Sequence, residues 1–151
     1  MTELEQAIHA IEHGLLPFTK SGEPPVRKVD AASISKAVTA MLALHLVEVG
    51  KLDLDADAND VLRSWKIPES KFTQAGRDGA PRKVTLRGLL SHSAGLNIHG
   101  YTGYPAGSPL PSLAQILDGE PPANSKPVRV MQAPGKAYKY SGGGYLVAQQ
   151  M

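Results

Sequence analysis

The stretch SISKAVTAMLALHLVEV, residues 33–49, constrains this chain more than any other. Between Ala37 and Val49 only Thr39, His45 and Glu48 are polar, so the pattern marks no single dry face. A helix that is apolar nearly all round needs other elements about it, because each uncovered face leaves hydrocarbon in water. Gly50 supplies the permissive residue that stops such a helix, and Ser33 or Asp30 can cap its start. The segment is therefore expected to be the structural centre of the protein, with His45 a satisfied core residue. The longest apolar run, Ala37 to Val47, is too short to cross a bilayer.

The remaining chain reads as short helices joined by loops. Leu4, Ala7, Ile8 and Ile11 share a helical face, which predicts an amphipathic helix within residues 1–16. Residues 17–30 hold three prolines and little periodicity and read as a linker. Beyond the central helix, Leu52 and Leu54 are expected to be buried. Residues 57–65 suggest a helix, 74–83 an exposed loop, and Thr85 caps a short helix closed by Gly95. Residues 97–112 form a long Gly/Pro/Tyr loop, 113–117 begin a helix, 128–130 suggest a small strand, and Ser141 starts a last helix. The whole, 1–151, is read as one partial domain, with residues 31–151 forming its helical core.

Composition removes several function classes. Sixteen Lys+Arg against fourteen Asp+Glu leave a formal +2, which is too balanced for a nucleic-acid or polybasic membrane partner. The absence of Cys excludes a disulfide scaffold, a thiolate nucleophile and Cys-ligated zinc. The acidic run LDLDADAND lacks the Gly and Glu spacing of an EF-hand, and His92 and His99 lack metal spacing. His9 and His13, at i and i+4, read as a surface helix face. Gly142-Gly143-Gly144 at a helix start resembles an anion cradle, but no nucleotide-binding pattern surrounds it. No G-x-S-x-G nucleophile elbow is present. No metal or organic cofactor is implied.

What remains is Ser33-Ile34-Ser35-Lys36, an S-x-x-K. With eleven serines and ten lysines, roughly 0.7 such matches arise by chance, so the tetrapeptide alone also reads as a capping serine followed by an exposed lysine. Its place gives it weight. Ser33 falls at the first turn of the central helix, where unpaired N–H groups favour negative charge. Lys36 lies one turn along the same face, and burial would strip water from its ammonium and favour the neutral amine. A neutral amine that accepts a hydroxyl proton turns a weak nucleophile into a strong one.

Three segments in order widen the match. AASISKAVTAMLALHLVEVGKLDLDADANDVLRSW resembles the start of the catalytic core of serine β-lactamase-like proteins, the superfamily of class C β-lactamases, D-alanyl-D-alanine carboxypeptidases and family VIII esterases. VTLRGLLSHSAGL is similar to their L-L-x-H-[ST]-[SA]-G-L segment, and APGKAYKYSGGGYLVAQQM to their P-G-x-x-x-x-Y-S segment. The resemblance implies Ser33 as the acyl-forming nucleophile, with its own N–H an oxyanion donor. It implies Lys36 as proton acceptor and Tyr140 as the second acid/base. Ser141 and Gly142 would face substrate, Gly142 standing where many members carry an amide-binding Asn. Tyr101 and Tyr104 would line an acyl pocket, or simply pack within their loop. The family aromatic four residues before the nucleophile is Val29 here. Residues 17–30 are too short and Pro-rich for the strands that usually precede the S-x-x-K helix, and no K-T-G or H-x-G strand occurs before Met151.

The expectation is a mostly α chain: the helical portion of the β-lactamase/penicillin-binding-protein-like α+β fold with much of the antiparallel sheet missing. The expected function is a serine hydrolase acting through an acyl-enzyme on an ester or amide, β-lactam or D-Ala peptide, with the activity of so short a chain open. The alternatives are a non-catalytic helical remnant that forms a homo-oligomer or needs a complementing chain, and a plain helical domain with an accidental S-x-x-K. The acidic N-terminus carries no signal-peptide pattern, so the chain as written reads as cytoplasmic, although relatives are often periplasmic or secreted.

Overall fold

The computed structural model of the chain describes residues 32–74 and 81–151. The chain divides into two compact units, Met1–Ser35 and Lys36–Met151. The expected helix within 1–16, with His9 and His13, and the linker 17–30 lie outside the described residues. Of the first unit the structure describes a 3₁₀ turn, Ala32–Ile34, which holds Ser33.

Helix α1 (Ser35–Glu48) carries the chain into the second unit and stops where the sequence says it should. Gly50 takes φ 70. Its N–H donates to Val47 O at 3.0 Å and the Lys51 N–H to Leu46 O at 2.8 Å, the paired bonds of a Schellman stop. Burial around α1 differs from the expectation of a fully surrounded rod. Lys36, Thr39, Ala40, Ala43, Leu46 and Val47 form one covered or half-covered stripe at helical spacing. Val38, Met41 and Leu42 on the other side are 67%, 71% and 59% exposed. His45 is likewise not a core residue: it is exposed, with Nδ1 3.5 Å from Glu48 Oε2. The neighbours among the described residues cover one side of the helix, and an apolar pattern without a phase could not say which.

Four short helices follow: α2 (Ala58–Val61), α3 (Leu86–Leu90), α4 (Leu113–Asp118) and α5 (Gly142–Gln150). Helices this short are unstable alone, so caps and core must hold them. Each is capped by its preceding side chain. Asp57 accepts from the Asn59 N–H, Thr85 from the Gly88 N–H and Ser141 from the Gly144 N–H. Ser112 and Gln115 form a reciprocal capping box. Helix α5 packs against α3 and α4. One apolar cluster, including Leu62, Leu89, Leu96, Leu117, Val128 and Val147, lies between them.

Helix α2 is shorter than expected, for a visible reason. Asn59 uses its whole amide on Ile67, accepting from the Ile67 N–H at 2.8 Å and donating to its carbonyl at 3.0 Å. That bridge folds the chain back after Val61. Trp65 then enters the core, its Nε1–H donating to Asp118 Oδ1 at 2.9 Å. Leu52 and Leu54 are half-buried rather than buried. The acidic run is a turn in which Asp55 takes a two-bond ion pair from Arg87, and that guanidinium holds its carboxyl below the ordinary aspartate value. The strand expected at 128–130 is reduced to one antiparallel bridge, Leu96 to Val130; a second joins Asp57 to Thr85. Among the described residues all other regular structure is helical.

Candidate active site

The second unit builds its polar centre from three distant pieces of chain: the first turn of α1, the turn after α3, and the segment leading into α5. The turn after α3 is tight because the Ser93 and Ala94 N–H groups both donate to Gly88 O, at 2.9 and 3.0 Å. It leaves His92 at φ 58, a left-handed conformation that His tolerates better than most residues. His92 then grips the approaching segment twice. Its backbone carbonyl accepts the Lys139 N–H at 2.8 Å, and its ring Nδ1 accepts the Ser141 N–H at 3.1 Å. Tyr140 sits between those two anchored residues.

Ser141 ends the segment and starts α5. Its buried hydroxyl donates to Asn97 O at 2.5 Å while accepting the Gly144 N–H at 2.9 Å. The Gly142 and Gly143 N–H groups donate to His99 O and Ile98 O, both at 3.1 Å. The amides that resembled an anion cradle are therefore bonded within the protein. A Cβ on Gly142 would stand 3.0 Å from His99 O, which ties glycine to this close approach. Ser141 and Gly142, both buried, shape the site through the backbone.

Around Tyr140 the rings are crowded. Its ring centroid lies 4.3 Å from that of His92 and 4.8 Å from that of His99. Tyr145, one turn into α5, has its centroid 5.2 Å from His92 and donates its hydroxyl to Leu90 O at 3.1 Å. Lys36 enters from α1: its Nζ lies 5.3 Å from the Tyr140 ring centroid and 5.6 Å from that of Tyr145. A cation over aromatic faces at this range contributes about 0.5–2 kcal/mol, depending on desolvation. Burial, and then the nearby Lys36 charge, push the His92 imidazole below the ordinary histidine value. Burial, and then Tyr140, push the Tyr145 phenol up.

The structure thus brings Lys36 and Tyr140 into one volume. Ser33 is exposed in the Ala32–Ile34 turn, three residues before Lys36 in the chain. His92 and Tyr145 were not singled out by sequence reasoning as site residues. The signal for His92 was present, since it is the His of LLSHSAGL, but nothing local ties it to a segment 49 residues away.

Tyr101 and Tyr104 lie on the long loop, Tyr101 beside the His99 edge of this cluster. Tyr101 lines a cavity of ≈ 250 Å³ with His99, Asn124, Ser125 and Lys126 among its neighbours. The Tyr104 hydroxyl accepts the Asn124 N–H at 3.2 Å. Burial, and then Tyr104, push the Tyr101 phenol up to about 12. A raised phenol contributes stability fully present below about pH 10 and lost as pH rises toward the folded value. A spectrophotometric titration should therefore show a tyrosine ionising near about pH 12, and Tyr101→Phe should remove that late step. A late step unchanged in the variant would refute the assignment. Among the described residues no group of three or more acidic, His or Cys side chains is placed to hold a metal ion.

The model of the family described as "Beta-lactamase" matches residues 27–151. The chain belongs to the beta-lactamase family. Two curated relatives of this beta-lactamase-family chain are a "Penicillin-binding protein 4" of Amycolatopsis lactamdurans and a "Lovastatin esterase" of Penicillium rubens. The first is 33% identical over 66 residues, 44% of this chain and 15% of the relative. The second is 35% identical over 88 residues, 52% of this chain and 22% of the relative. The chain therefore spans less than a quarter of the length of either. The family match and the two partial relatives support a serine-hydrolase family.

Proposed function

We propose that this chain carries the acylating centre of a serine hydrolase, with Ser33 as nucleophile, Lys36 as its proton acceptor and Tyr140 as the second acid/base. The observation that supports this most is Lys36 Nζ lying 5.3 Å from the Tyr140 ring centroid, although the two residues stand over a hundred positions apart in the chain. In this reading Ser33 Oγ attacks the substrate carbonyl in the form of the protein in which Lys36 is a neutral amine, which takes the Ser33 proton and passes one on to Tyr140 as the phenol gives up its own. Tyr140 delivers a proton to the leaving group, and water then hydrolyses the acyl-enzyme. The Ser33 N–H serves as an oxyanion donor. The substrate is a small ester or amide. We favour the ester: Gly142 offers no side-chain amide for a substrate peptide bond, and the relative matched over the greater share of this chain is named as an esterase.

The test is covalent labelling of the purified chain with a fluorophosphonate and with a fluorescent penicillin. The expected result is labelling by the fluorophosphonate that disappears in Ser33→Ala. The exposed Val38, Met41 and Leu42 side of α1 favours a second reading, a non-catalytic helical module completed by another chain or copy. Absence of labelling together with self-association on a sizing column would support that module and overturn the hydrolase.

A further inference from the structure

We propose that His92 is a positioning residue that sets Tyr140 against Lys36, acting as a two-point clamp on the segment 139–141. The clamp is visible in the bonding. The Lys139 N–H goes to the His92 carbonyl and the Ser141 N–H to its Nδ1, so the residues on either side of Tyr140 are both tied to one residue. The imidazole also lies against the phenol it brackets, at 4.3 Å between centroids and 33° between planes. A backbone N–H can only donate, so Nδ1 must be the bare nitrogen and the ring proton belongs on Nε2. Protonation would place an N–H on Nδ1 facing the Ser141 N–H, two donors in one bond, and would release one of the two points.

The groups that face the ring are Lys36 from α1, Tyr138 and Tyr140 from the clamped segment, and Tyr145 from α5. Among the described residues none of these is a carboxylate, so they offer no counter-charge to an imidazolium, and Lys36 opposes one. With Nδ1 accepting the Ser141 N–H, the ring as bonded here is the neutral tautomer. The clamp is complete above the ordinary histidine value and opens as pH falls through the lower folded one.

The test compares the full chain with His92→Phe, which keeps a ring but has no acceptor, and with His92→Asn. Asn tolerates a left-handed backbone and can present its amide oxygen near the Nδ1 position. The rate arm rests on the hydrolase reading. Fluorophosphonate labelling of Ser33 should fall by about 10²-fold in His92→Phe, the scale of an ångström-sized displacement of a catalytic group. It should recover most of that loss in His92→Asn. The parent should lose labelling in acid with a midpoint below ~6.5, and His92→Asn, having no imidazole there, should not show that acid limb. The second arm needs no activity. Nitrogen NMR should find His92 Nδ1 unprotonated at neutral pH, and Lys36-to-Tyr140 ring contacts should be lost in His92→Phe and regained in His92→Asn. If the parent is not labelled at all, the hydrolase reading fails and the NMR arm still decides the clamp. Contacts that persist in His92→Phe, or a protonated Nδ1 in the parent, would overturn it.

Discussion

Tyr140→Phe should lower the rate of Ser33 acylation by about 10²–10⁴-fold, the range associated with loss of a general acid/base, while leaving the protein folded. The substitution removes the hydroxyl oxygen and keeps the ring. The phenyl ring can still stack on His92 and His99, and the backbone on either side remains held by the His92 carbonyl and Nδ1. The face presented to Lys36 persists, so the cation–aromatic contact survives with only modest change. A loss of rate without a loss of thermal stability therefore isolates the hydroxyl. The measurement pairs fluorophosphonate labelling kinetics with a melting curve. Unchanged labelling would remove Tyr140 from the chemistry, and a collapsed melting curve would show that the hydroxyl is structural.

Gly95→Ala should have the largest effect on stability. Gly95 has φ +78, and a Cβ there would fall inside contact distance of Gln132 O and lie 3.0 Å from Gln132 Cγ. The left-handed backbone costs a non-glycine residue about 1–2 kcal/mol by itself. The clash adds to this because the opposing atom is backbone and neither segment can easily yield. The Met131 and Gln132 N–H groups both donate to Gly95 O, and the next residue, Leu96, is bridged to Val130 inside the core. We expect more than about 3 kcal/mol of destabilisation, a large part of the ~5–15 kcal/mol that holds a typical domain together. Gly107→Ala provides the control. Its φ is +83 but nothing lies within 4 Å of an added Cβ, so only the backbone term applies. Denaturant midpoints for the two variants separate strain from collision, and equal losses would show that the Gln132 contact relaxes at no cost.

Both expectations depend on contacts between remote segments, which bears on what could be read from the chain alone. Three helix ends were legible, whereas α3 closes at Ser91 and not at the expected Gly95. Thr85 and Ser141 cap α3 and α5, and Gly50 stops α1, because a cap or a left-handed stop involves residues within one turn of each other. The S-x-x-K spacing and the Tyr-Ser-Gly segment were legible for the same reason, as was the family they point to. The 57–65 segment was misjudged because its helix is ended by the Asn59 amide reaching Ile67 and by Trp65 reaching Asp118, 53 residues on.

The residues themselves therefore determined the starts of α3 and α5, the stop of α1 and the family to which the chain belongs. Tertiary packing alone decided which stripe of α1 is covered, since a helix apolar on every side encodes no direction. It also decided that Lys36 meets Tyr140 and that His92 grips both flanks of that tyrosine. Local hydrogen bonds are specified by a few neighbouring residues, whereas the meeting of segments separated by 49 or more positions is selected by the joint burial of the whole core.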